Sequence, residues 1–303
     1  MTAPKEESKS KFLLFLGCAI PYRVSSYEIS TRKVLDKLGI ELVEMPEYNC
    51  CGLPIDPVNH DMMISLAARN LCLAEQQGLD IIALCPGCAG TLRKVNRKLK
   101  EDKHLREKIN SYLGLEFKGT IEAKHLLQLL AEDIGYQKIK DSIKKPLNAL
   151  SASDHSGCHV TRPGKYIGFD NPENPEVLKH LIEATGANYV DYVDRLECCG
   201  APIAGVNDNI PLELSREKLV HVKDAGADVL ITVCPFCHMM FDTNQPRIER
   251  RFNENLKIPV LHYPQLLGLA MGFSSKELAL EGLRVSPNHL ISQMGAKTGV
   301  SEK

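Results

Sequence analysis

The chain predicts an α/β fold built twice, each copy a small parallel sheet flanked by helices. Three observations predict it. Short apolar runs alternate with stretches of helical spacing, the mark of strands joined through helices. The same order of elements occurs in both halves of the 303 residues. Ten of the eleven cysteines fall into one pattern, C…CCG…CxxC, written once in each half.

The elements follow in order. Residues 12–16 form an apolar run, read as a strand ending just before Cys18. Residues 26–38 carry apolar side chains at helical spacing and stop at Gly39. Residues 40–43 read as a second strand leading to the Cys50-Cys51 loop. Asp61 is placed to cap a helix running to about Gln77 and stopped by Gly78. Residues 79–84 read as a buried strand, followed directly by Cys85-Pro86-Gly87-Cys88. Proline there suits a helix first turn.

The second half repeats this. Residues 173–185 read as a helix stopped by Gly186, and 187–193 as a strand leading to Cys198-Cys199. Residues 211–225 read as a helix stopped by Gly226, and 228–233 as the strand delivering Cys234-Pro235-Phe236-Cys237. Both halves close on a matching phrase, at residues 124–130 and 261–267. The expected division is a first domain at 1–149, a second at 150–273 and a weakly patterned tail at 274–303. The tail is expected to be extended or partner-bound. The charged stretch 94–108 reads as a solvated helix face.

Composition narrows the function. At 44% hydrophobic and 25% charged residues, the chain is that of a globular protein with room for two cores. A net charge of −1 gives no support for a nucleic-acid partner. The absence of Trp argues against a base-stacking platform. No apolar stretch reaches the roughly 18–20 residues of a membrane span. The run before Cys18 is shorter than the roughly 7–15 residues of a signal peptide core. Adjacent cysteines rarely close a disulfide on each other. Thiolate-held metal in a reducing, cytoplasmic setting is the expected use.

The candidate metal ligands are Cys18, Cys50, Cys51, Cys85 and Cys88 in the first half. Cys158, Cys198, Cys199, Cys234 and Cys237 are those of the second. Five thiols per set is one more than a tetrahedral zinc site takes, and it suits an iron–sulfur cluster. Zinc in one or both sites is the alternative. Cys72, inside a predicted helix, reads as a core residue. His155 and His159 flank Cys158, and His125 and His262 occupy matched places; each reads as a packed or surface residue before it reads as a ligand. Arg23 and Arg162 follow the first cysteine of their sets at nearly matched positions. Their fork could hold an acidic substrate group, or each could cap a helix or pair with a carboxylate.

These motifs resemble the cysteine-rich CCG domains of the heterodisulfide reductase B-subunit family. The likeness runs through Phe15-Leu16-Gly17-Cys18, Ala68-Arg69-Asn70-Leu71, Phe117-Lys118-Gly119-Thr120 and His155-Ser156-Gly157-Cys158-His159. It continues through Phe169-Asp170-Asn171-Pro172-Glu173-Asn174-Pro175, Cys234-Pro235-Phe236-Cys237-His238 and residues 262–269. The resemblance implies two non-cubane [4Fe-4S] clusters, one per five-cysteine set, with a disulfide reduced between them. The chain departs from the family's usual residues at Gly52, at Pro86-Gly87 and at residues 201–205, so the resemblance does not carry over a particular substrate.

No CxxCxxCxxxCP ferredoxin run and no GxGxxG fingerprint occurs. Electrons must therefore come from elsewhere. The expected partners are a ferredoxin-type iron–sulfur subunit and a flavin-containing subunit, with a disulfide or thiol as substrate.

Overall fold

The computed structural model describes residues 10–296. The first half contains strands β1 (Ser10–Phe15), β2 (Ile40–Val43), β3 (Ile81–Ala83) and β4 (Ala123–His125), and helices α1 (Ser25–Lys37), α2 (His60–Gln77), α3 (Pro86–Glu101) and α4 (Lys103–Leu113). The second contains β5 (Ser151–His155), β6 (Asn188–Tyr189), β7 (Val229–Thr232) and β8 (Val260–His262). Its helices are α5 (Val177–Ala184), α6 (Asn209–Asp224), α7 (Gln245–Phe252) and α8 (Tyr263–Ala270). A last helix, α9, spans Asn288–Ala296.

Both sheets are four-stranded, with the orders β2-β1-β3-β4 and β6-β5-β7-β8. All pairings are parallel. The predicted doubled α/β fold is the one observed. In each sheet the chain starts in an inner strand, steps outward, then returns on the other side. The order reverses between β1 and β3, and again between β5 and β7. Such a reversal opens a crevice beyond the strand C-termini, where α/β proteins place their sites.

Alternation along the strands sends side chains to two layers. Leu13, Phe15, Ile81 and Ala83 enter a core belonging to the first half. Leu230 and Val260 enter the equivalent core of the second. The opposite faces meet: Leu14, Ile82 and Leu126 share one continuous core with Val229, Ile231 and Leu261. The packing is reciprocal. Helix α8 of the second half lies on α1 of the first, and the turn of helix Tyr136–Asp141 lies on α5 of the second.

Several boundaries differ from the sequence reading, each for a local reason. Helix α2 is capped by Asn59, whose Oδ1 accepts from the Met62 N–H at 3.0 Å. Asp61 instead sits in the first turn and pairs with Lys108 at 2.7 Å. Helix α5 starts at Val177, because the Asp170 carboxylate accepts from the N–H groups of Glu176 and Val177 and holds the preceding segment in a loop. The edge strand β6 is only two residues long. The charged stretch 94–108 is broken at Asp102, whose Oδ1 caps α4 by accepting from Leu105 N–H at 2.9 Å.

The segment after residue 273 is not extended. Leu278, Leu280, Leu283 and Leu290 are buried in the shared core. The buried Asp242 carboxylate accepts from Arg284 N–H and Val285 N–H, tying the segment down. Residues 297–303 lie outside the described residues.

Candidate metal centre

Each candidate ligand cysteine lies in a loop after a strand or at a helix start. β1 ends at Phe15 and Cys18 comes three residues later; β5 ends at His155 and Cys158 comes three residues later. Gly17 and Gly157 make the turn between, at φ +68 and +80. A Cβ on Gly17 would lie 2.9 Å from Cys88 Sγ, and one on Gly157 would lie 3.5 Å from Cys237 Sγ. A larger residue at 17 would therefore press on the CxxC unit, and at either position it would strain its own backbone.

Cys85 and Cys234 are the N-cap residues of the helical segments that begin at Pro86 and Pro235. Cys88 and Cys237 stand in the first turns of those segments. Unpaired N–H groups and the dipole at such a start favour thiolate. At each doublet the backbone turns so that the following glycine donates to the first thiol: Gly52 N–H to Cys50 Sγ at 3.4 Å, and Gly200 N–H to Cys198 Sγ at 3.3 Å.

The two sets build the same thiol network. Cys51 is buried and its pKa is lowered to about 4, because the thiols of Cys50 and Cys88 both donate to it. Cys199 is lowered by the matching pair, Cys198 and Cys237, with His155 adding to the effect. The donors Cys50 and Cys198 are raised correspondingly. Each half thus carries a buried thiolate at the second doublet position, with two neighbouring thiols donating protons to it that a metal would displace.

The sets also meet. Cys85 is lowered chiefly by a hydrogen bond from the Cys234 thiol, so the two CxxC units touch across the junction of the halves. The junction is rigidly built. Helix α3 packs on the turn Cys158–Val160 and on the short helix Gly164–Ile167. Tyr27 stacks on His262, and His262 on His238, with ring centroids 3.9 and 4.1 Å apart. Burial lowers His125 to about 4 and His238 to about 3, so both rings are neutral at pH 7.

The histidines divide as follows. His125 and His262 precede the closing helices, where His125 Nδ1 accepts from Leu127 N–H at 3.2 Å. His159 is exposed. His155 is not merely packed: its ring lies with Cys199 and Cys237, their ligand atoms all within 4.8 Å of one another. Single-residue reasoning from the sequence misses this, although its place at a strand end, three residues before a cysteine, marks it. Cys72 is buried in α2, with its pKa raised to about 11 by burial, as a core thiol should be.

The arginines part company. Arg23 is exposed at the end of the short helix Ile20–Arg23. Arg162 lines a small crevice with His155, Cys158 and Arg195, and donates from Nε and Nη2 to Pro172 O at 3.2 and 2.9 Å. Arg195 is a residue the sequence reading passes over. It lies three before Cys198 and pairs with the buried Asp154 at 3.5 Å.

Residues 12–93 and 153–242 match the family model described as cysteine-rich domain, CCG. The B subunit of the ferredoxin/F(420)H(2)-dependent CoB-CoM heterodisulfide reductase of Methanosarcina acetivorans is 40% identical over 280 residues, covering 90% of this chain and 93% of that one. A protein of Archaeoglobus profundus, named as similar to the heterodisulfide reductase B subunit, is 32% identical, covering 91% and 95%. The 8-methylmenaquinol:fumarate reductase membrane anchor subunit of Wolinella succinogenes is 31% identical, covering 90% and 96%. The crystal structure of a hypothetical protein from Helicobacter pylori shares the fold, with a TM-score of 0.73 at 17% identity. It aligns with 93% of this chain, which spans 55% of that structure. With both halves matched and B-subunit relatives aligned over nearly their whole length, the chain belongs to the cysteine-rich CCG-domain family and is a homologue of the heterodisulfide reductase B subunit.

Proposed function

We propose that this chain is the catalytic iron–sulfur subunit of a heterodisulfide reductase-like complex, acting on a disulfide held where the two halves meet. What supports the reading is the hydrogen bond from the Cys234 thiol to Cys85, which brings the CxxC units of the two cysteine sets together. The donor set fits iron–sulfur ligation: Cys18, Cys50, Cys51, Cys85 and Cys88 for one group, and Cys158, Cys198, Cys199, Cys234 and Cys237 for the other. When bound, non-cubane [4Fe-4S] clusters supply one-electron couples and iron to which sulfur can bind. The balance is R–S–S–R′ plus two electrons and two protons giving RSH and R′SH; the reverse forms the disulfide.

The chain's own residues prepare the site. The helix starts at Pro86 and Pro235 favour negative sulfur. Arg162, beside Cys158, is the better placed of the two arginines to meet an acidic substrate group; Arg23 would do so from the matched turn. Electrons would arrive from a ferredoxin-type iron–sulfur subunit backed by a flavin-containing one, in the cytoplasm. No helix among the described residues is long and apolar enough to cross a membrane. The working division is 1–149, 150–273 and the segment 274–303.

The test is metal analysis followed by turnover. About eight iron and eight sulfide per chain are expected for two such clusters, and a mixed disulfide should be reduced by the reconstituted complex. Zinc without sulfide would make the chain a zinc-stabilised adaptor. The 31% identity to a fumarate reductase anchor subunit favours a second reading, an electron-transfer or anchor subunit. Full cluster content without disulfide reduction would select it.

A further inference from the structure

The two sites are built alike but not lined alike. Phe15 and His155 are counterparts: each ends the first strand of its half, three residues before the first cysteine. Each also pairs with the residue two before its CxxC unit, Ala83 and Thr232 respectively. Both are buried. Phe15 packs among Cys51, Cys85 and Cys88 in the first core. Its Cε1 lies 3.9 Å from the spot a Cβ on Gly17 would take, and Cys88 Sγ lies 2.9 Å from that spot. His155 stands edge-on to Phe241 at 5.0 Å, its ring grouped with Cys199 and Cys237. The ring is near enough to Cys199 to help lower it, and apart from that thiol neither nitrogen has a polar partner in reach among the described residues. A buried imidazole whose polar neighbours are candidate ligand thiols is placed to donate toward sulfur held there.

A second exchange points the same way. Asn70 lies 18 residues after Gly52 and 8 before Gly78; Lys218 lies 18 after Gly200 and 8 before Gly226. Asn70 Oδ1 accepts from Asn49 N–H at 3.0 Å, ahead of the first doublet. Lys218 is fully buried and donates to the Asp194 carbonyl at 2.5 Å, ahead of the second. The Asp194 carboxylate, 3.9 Å from Nζ, offsets part of that charge.

We infer that His155, supported by Lys218, raises the reduction potential of the group held by the second half above that of the group held by the first, where Phe15 and Asn70 stand. The inference rests on the reading of two iron–sulfur sites and assigns them unequal roles: the second half is reduced first. An N–H donor or a nearby cation stabilises the more negative, reduced state, and hydrogen bonds to sulfur are a known lever on such potentials. His155 is therefore a positioning residue, not a catalytic one.

The test is a dithionite titration of the reconstituted full chain, followed by EPR, with iron and sulfide counted in every sample. Dithionite supplies one electron to each site. Wild type should show two midpoints. His155→Phe should lower the higher one, changing its reduced-to-oxidised ratio at fixed potential by about tenfold, or about 59 mV for one electron. His155→Gln, which keeps an N–H donor, should hold the wild-type value, and Phe15→His should raise the lower midpoint. Unmoved midpoints in His155→Phe at full iron and sulfide overturn the inference, as does an equal shift in His155→Gln. If His155→Phe loses iron, Phe15→His decides alone, and an unmoved lower midpoint overturns it. Wild type lacking iron and sulfide would instead reject the cluster reading itself.

Discussion

Tyr27 of the first half donates its buried hydroxyl to the carbonyl of Val233 in the second, at 3.1 Å. Val233 is the residue before Cys234, so a side chain of one half fixes the strand end that delivers a cysteine of the other. Tyr27→Phe keeps the stacking on His262 but leaves that carbonyl one donor short. It should cost about 1–3 kcal/mol, read as a lower urea midpoint at unchanged slope. An unchanged midpoint would show that the carbonyl is satisfied without Tyr27.

Cysteine replacement should act half by half. Cys51→Ala and Cys199→Ala each remove the buried thiolate that two neighbouring thiols donate to. Each variant should lose about half the iron of the wild type, from its own site only. Full iron in both variants would reject the ligand assignment.

Gly17→Ala tests the turn rather than the thiols. Its Cβ would press on Cys88 Sγ at 2.9 Å from a backbone at φ +68. Iron should fall in the first half while the second keeps its spectrum. Gly135, also at positive φ but with no atom near a Cβ, is the control: Gly135→Ala should keep full iron.

The buried histidines give stability a pH dependence. His125 is lowered from 6.5 to about 4 by burial. The unfolded chain therefore takes up a proton that the folded chain refuses. The contribution is fully present above pH 6.5 and is lost as pH falls through the folded value near 4. Up to roughly 3 kcal/mol is at stake. His238 and His262 are lowered in the same direction. Urea midpoints at pH 7 and pH 5 should differ, and His125→Gln should narrow the gap.

Arg162→Ala should weaken substrate binding by about 1.5–3 kcal/mol, with the cluster spectra unchanged. Arg162 already donates twice to Pro172 O. Unaltered affinity would therefore mark it as a brace for the 158–172 loop.

Much of this was legible from local pattern. The 40–43 strand coincides with β2, and the glycine stop at 78 and the prolines after Cys85 and Cys234 fall where expected. Apolar period and turn chemistry are local properties, so they survive folding. What the sequence hid depends on the other half. Leu14 and Leu261 share a core only because the two halves pack together. Leu278 and Leu290 have too little pattern of their own to reveal that they bury. His155 looks like any strand-end histidine until β5 and β7 bring Cys237 beside it.

Helix α8 packs on α1 and the Tyr136–Asp141 helix packs on α5, so two halves of like fold are joined face to face within one polypeptide. Two separate copies of one half would be bound to identical sites, since every substitution would appear in both. Joining the two halves in one polypeptide lifts that constraint. Phe15 and His155 could then diverge while the cysteine scaffold around them stayed the same, giving a symmetric frame a direction.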